Sequence, residues 1–70
     1  MNSVKDESET LRAQLQELRV EHRDLDEAIF RLESTPPHDD LLLRRLKKRK
    51  LHLKDRISQI EGMLEPDILA

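Results

Sequence analysis

The sequence predicts an all-α protein: an antiparallel two-helix coiled-coil hairpin that pairs with a second copy as a four-helix bundle. Three observations predict it. Aliphatic residues recur at heptad spacing in two separate stretches. Two adjacent prolines stand between those stretches. Glycine occurs once in 70 residues, Phe30 is the sole aromatic, and 40% of the residues are charged, a composition that suits long helices and offers no strand-like alternation.

Helix 1 is expected over about residues 4–33. Ser3-x-x-Asp6 resembles a capping box with Asp in place of Glu. The row Leu11, Leu15, Leu18, His22, Leu25, Ile29, Leu32 then repeats with steps of four and three, which is an unbroken heptad seam with one polar guest.

A Pro-Pro turn follows over 34–38. Proline fixes φ, lacks an amide donor and pushes the residue before it out of the helical region. Pro36 and Pro37 therefore end helix 1 near Glu33. The second of them is expected to open helix 2, because a proline in the first turn loses no hydrogen bond.

Helix 2 is expected over about 38–64, with Asp39 and Asp40 near its positive end. Its seam reads Leu43, Leu46, Lys50, Leu53, Ile57, Ile60, Leu64. Gly62 weakens its last turns, Glu65-Pro66 stops it, and a short tail runs over 65–70. The whole chain, 1–70, reads as a single domain.

So short a linker folds the helices back on each other. With Leu32 opposite Leu43, the layers become Ile29 with Leu46, Leu25 with Lys50, His22 with Leu53, Leu18 with Ile57, Leu15 with Ile60 and Leu11 with Leu64. Every seam residue finds a partner, and each layer sets an a position against a d position. On the flanks, Glu21 is expected near Arg49 or Arg56 and Asp26 near Lys47, while Arg19 beside Lys54 is a like-charge mismatch. Such exposed pairs tune a register and do not create it.

Further apolar residues stand off the seam: Val20, Ala28, Phe30, Leu41, Leu42, Leu51 and Met63. Scattered exposed apolar residues are ordinary. A lone hairpin, however, buries one stripe per helix and orders some fifty residues against a large loss of backbone entropy. A homo-oligomer, with a dimer as its simplest form, is therefore expected, with Val20, Phe30, Leu42, Leu51 and Met63 as candidate oligomer contacts.

The polar guests His22 and Lys50 occupy adjacent layers. Asp26, four residues after His22, is placed to meet Lys50 across the hairpin. One reading is a satisfied core-edge histidine beside a lysine that snorkels to solvent. The other is a polar layer that costs stability and specifies register.

The stretch RRLKKRK, residues 44–50, packs six bases into seven positions. On helix 2 they divide. Lys50 turns inward, Lys47 and Arg49 flank the seam, and Arg44, Arg45 and Lys48 face outward with His52 one turn on. These last four are the candidate phosphate or partner contacts. Residues 1–33 carry nine acids and five bases, and residues 34–70 carry eight bases and six acids, so one helix neutralises part of the other. The net charge is −2, unlike a dedicated nucleic-acid binder, and aromatic stacking residues are missing. Nucleic acid remains the alternative partner, bound weakly and in a salt-sensitive way.

Several classes are disfavoured. No apolar run approaches the ~20 residues of a membrane span, and the outer face has no bulky apolar side to insert into a bilayer surface. The polar, acidic N-terminus does not read as a signal peptide, and the absence of cysteine fits a reducing compartment, so a cytoplasmic location is expected. His22, His38 and His52 lack metal-ligand spacing, and no nucleophile–base pair or glycine loop appears. No metal, no cofactor and no catalytic residue is expected.

The runs His22-x-x-Leu25-Asp26-x-x-Ile29 and Leu46-Lys47-Lys48-x-Lys50-Leu51-x-Leu53-Lys54-Asp55 resemble the small bacterial YdcH-like proteins, a domain family of unknown function, over roughly residues 18–60. Arg49 and His52 fill the variable places. The resemblance implies a helical hairpin in a bacterial cytoplasm and places His22, Asp26, Lys50 and Asp55 within the family's pattern. It supplies no activity and no catalytic residue. The function expected is that of a non-enzymatic interaction module or small adaptor with an unknown protein partner.

Overall fold

A computed structural model describes the backbone of residues 3–64 and the side chains of residues 7–64. The Ser3–Asp6 capping side chains, the Glu65-Pro66 stop and the tail 65–70 lie outside the described residues. Two helices make up the fold: α1 (Ser3–Ser34) and α2 (Asp40–Leu64), packed against each other as a hairpin.

α1 runs for 32 residues with no proline or glycine inside it. At its end the Ser34 hydroxyl donates back to the Phe30 carbonyl, four residues earlier, at 2.7 Å. Arg31 lies in this last turn, at the negative end of the helix dipole.

The turn differs from the sequence reading in one respect. Pro37 does not open α2, which begins at Asp40, two residues later than expected. The Pro36–Pro37 peptide bond is cis. Asp39 supplies the cap. Its Oδ1 accepts from the Leu42 amide at 3.0 Å, and its carbonyl accepts the first helical bond from the Leu43 amide at 2.9 Å. A carboxylate satisfies two needs at once, since it takes a free amide and complements the positive helix end. A proline at that point satisfies neither, so the helix starts at the acid.

The core is one layer deep. Leu15, Ile29, Leu43, Leu53 and Ile60 are buried, with Ile60 fully enclosed. Leu11, Leu18, His22, Leu25 and Leu32 of α1, and Leu46, Lys50, Ile57 and Leu64 of α2, are half-buried. The fourteen heptad seam positions thus account for every buried residue and most half-buried ones. The remaining half-buried residues, Ser8, Ala28, Leu42 and Glu61, border that stripe.

Four ion pairs join the helices and report their register. Glu33 pairs with Lys47 at 2.6 Å, Asp26 with Lys50 at 2.6 Å, Arg19 with Glu61 at 2.6 Å and Glu21 with Arg49 at 2.8 Å. The last is one of the two partners expected for Glu21. Asp26 meets Lys50, as its place in the polar layer anticipated, rather than Lys47, and one expectation needs correction: Arg19 meets Glu61 and is not left against Lys54. Helical side chains lean toward their own N-terminus. In antiparallel helices, Arg19 and Glu61 therefore reach toward each other past the Lys54 level, and Glu33 and Lys47 do the same near the turn.

Loss of the cap tests this account of the turn. Asp39→Ala is expected to destabilise the hairpin by about 1 kcal/mol, and Asp39→Asn by less, because asparagine keeps the accepting oxygen. Urea midpoints of the three proteins check it, and equal losses from both variants would show that the cap geometry is not the cause.

Candidate functional site

The six bases of residues 44–50 meet two fates. Lys47, Arg49 and Lys50 are held in the interhelical ion pairs with Glu33, Glu21 and Asp26. Arg44, Arg45 and Lys48 are exposed and have no ion-pair partner among the described residues, and His52 is exposed beside them. The free cations therefore occupy the outer face of α2, and the paired ones lie along the seam.

The polar layer is split as well. Lys50 is half-buried and sends its Nζ to Asp26 Oδ1. This hydrogen bond, with the attraction of the lysine charge, holds the Asp26 carboxyl below its usual range, and the neighbouring His22 adds a smaller effect in the same direction. His22 itself makes no such contact: its Nε2 is buried without a hydrogen-bond partner. The neat histidine–aspartate–lysine network available on paper is thus a lysine–aspartate pair beside an unsatisfied histidine nitrogen.

On the flank that carries Asp26–Lys50 and Glu33–Lys47, an open groove runs between the helices. Its apolar lining is Ile29, Phe30 and Leu51, and Arg23 and Lys54 line it as well. Phe30 is 68% exposed and Leu51 57% exposed. Asp26 and Glu33 are already neutralised by lysines, and Glu27 is paired with Arg31 at 2.8 Å. Arg23 and Lys54 have no ion-pair partner among the described residues. The groove combines an apolar lining with unspent positive charge.

The five candidate oligomer contacts do not form one surface. Phe30 and Leu51 share the groove. Leu42 and Met63 occupy the heptad position of Arg49, and so belong to the opposite flank; Leu42 is half-buried and Met63 exposed. Val20 is exposed on the outer back of α1. Sequence reasoning did not single out Arg23 and Lys54. Their signal was available, since they fall at the same pair of heptad positions as Phe30, Leu51 and Lys47, which places all five on one flank.

A family model described as "Protein of unknown function (DUF465)" matches residues 15–61. This covers about two thirds of the chain, which belongs to that family, the one that the YdcH-like resemblance named. All four interhelical ion pairs and the groove fall inside the matched span. Neither the curated proteins nor the solved structures contain a match to the chain.

Three variants test the polar layer. His22→Leu removes a buried unpaired nitrogen and is expected to raise stability by about 1–2 kcal/mol; a lower urea midpoint would show that His22 has a partner in solution. Lys50→Leu is expected to raise the Tm by a few degrees, since it extends the aliphatic row. For Asp26, the folded carboxyl titrates below its ordinary value of 3.8. The folded state then binds fewer protons than the unfolded one in that range, so the pairing stabilises above that value and its contribution is lost as the pH falls through the folded one. The Tm gap between wild type and Asp26→Asn should hold at about pH 6 and narrow as the pH falls below the ordinary carboxylate value of 3.8; a gap independent of pH would contradict the pairing.

Proposed function

We propose that this hairpin is a non-enzymatic, self-associating protein-interaction module of the bacterial cytoplasm, with the Phe30–Leu51 groove as its contact surface. One observation carries the reading: two bulky apolar side chains, both more than half exposed, sit in the same interhelical groove. Single exposed apolar residues need no explanation, but a pair of them lining a concavity marks a place where another surface sits. The thin core points the same way. Five buried side chains support two long helices, and small scaffolds of this kind gain stability by association. A dimer is the smallest assembly that covers the groove.

Sedimentation velocity across a wide concentration range tests this. The wild type is expected to shift from monomer to dimer, and Phe30→Ser together with Leu51→Ser to remain monomeric while keeping its helical circular dichroism. A wild type that stays monomeric throughout would remove the reading.

A second reading rests on Arg44, Arg45 and Lys48, the three bases left without ion-pair partners on the outer face of α2. They would bind a phosphate backbone weakly through charge alone. Titration of labelled duplex DNA and of RNA at two salt concentrations separates the readings. Binding that weakens steeply with salt and is lost in the triple alanine variant of these residues supports the second; no binding at low salt excludes it.

A further inference from the structure

We infer that the groove receives the C-terminal segment Glu65-Pro66-Asp67-Ile68-Leu69-Ala70 of a second copy of the chain. The inference rests on the self-association proposed above and names the segment that makes the contact. Its first support is chemical. The groove offers an apolar lining of Ile29, Phe30 and Leu51, together with Arg23 and Lys54, cations without ion-pair partners among the described residues. An occupant that matches it carries bulky aliphatic side chains and carboxylates within a few residues. Residues 65–70, which lie outside the described residues, supply both: Ile68 and Leu69 for the apolar lining, and Glu65 and Asp67 for the cations. The other acidic stretch, around Asp6, Glu7 and Glu9, is committed to α1.

Reach decides that the segment comes from another copy. α2 ends at Leu64, and Leu51 lies thirteen residues back along it, about 20 Å at the helical rise. Phe30 lies further still toward the turn. Ile68 and Leu69 follow Leu64 by four and five residues, which span at most about 14–18 Å when fully extended. Within one chain even a fully extended tail brings Leu69 only to the Leu51 end of the groove and leaves Phe30 uncovered. Between two chains no such limit applies, and a reciprocal exchange of tails about a two-fold axis closes the pair without leaving a free groove.

The experiment uses the full chain. At concentrations where the wild type is dimeric, Ile68→Ser with Leu69→Ser is expected to weaken association on the order of a hundredfold, the loss of two well-buried aliphatic contacts. A labelled peptide of residues 64–70 should then bind this monomeric variant, and the binding should disappear when Phe30→Ser is added. Asp67→Lys should weaken dimerisation, and Lys54→Glu in the same chain should restore it. If the tail variant keeps the wild-type mass while Phe30→Ser becomes monomeric, another surface fills the groove and the tail inference is overturned, with self-association intact. A wild type that never dimerises overturns both. Loss of dimer in the tail variant without peptide binding also overturns the placement in the groove.

Discussion

Closure of two aliphatic rows in one register is the constraint on which every other feature of this hairpin depends. Among the described residues, Leu15 and Ile29 on α1, and Leu43, Leu53 and Ile60 on α2, are the side chains removed from water, and no second layer shares the work. A rotation of either helix by one residue turns the stripe by about 100° and opens the row to solvent. The orientation of each helix about its axis is therefore fixed by a few leucines and isoleucines. The placement of every charge on the flanks follows from that choice.

This is why a run of six bases does not make one basic patch. The seam pulls Leu46 and Lys50 inward, and their neighbours Lys47 and Arg49 fall onto opposite flanks, each within reach of a glutamate from α1. Only Arg44, Arg45 and Lys48 remain for other anions. The same geometry leaves Phe30 and Leu51 on one flank between ion pairs that are already closed. An incoming surface then meets an apolar lining without first having to break the charges that hold the hairpin together. Arg23 and Lys54, without ion-pair partners among the described residues, are the charges on this flank that an occupant would meet.

Most of the fold was legible in the sequence because it rests on periodicity. The fourteen heptad positions include every buried residue, and the tandem prolines mark the turn. Three features were not legible from spacing alone. The start of α2 depends on a competition between Pro37 and Asp39 as the opening residue, which is decided by hydrogen bonds to the Leu42 and Leu43 amides. The partner of Arg19 depends on the lean of side chains, which a count of heptad letters omits. The isolation of His22 Nε2 depends on whether a particular carboxylate turns toward it, and Asp26 turns to Lys50. The groove lay between these cases. Its residues share heptad positions that can be counted, but its exposed lining appears only when both helices are placed.

The polar guests bear on which helices may pair. Two like helices α2 brought together from different copies would bury an equally good leucine row, so aliphatic content alone does not favour the pairing of α1 with α2. Charge does. Lys50 finds its carboxylate on α1, and so do Lys47 and Arg49. In a parallel, in-register α2–α2 pair Lys50 would meet the other copy's Lys50 and Arg49 would face Lys54, with no acid at the edge of the seam to receive either. Lys50 is half-buried, so leaving it in the seam without an acid costs part of the desolvation of its charge, which counts against the wrong pairing. A leucine at position 50 would strengthen both pairings and weaken the discrimination between them. The lysine thus trades stability of the seam for identity of the partner helix, a useful trade in a chain whose outer surfaces are argued to meet copies of themselves.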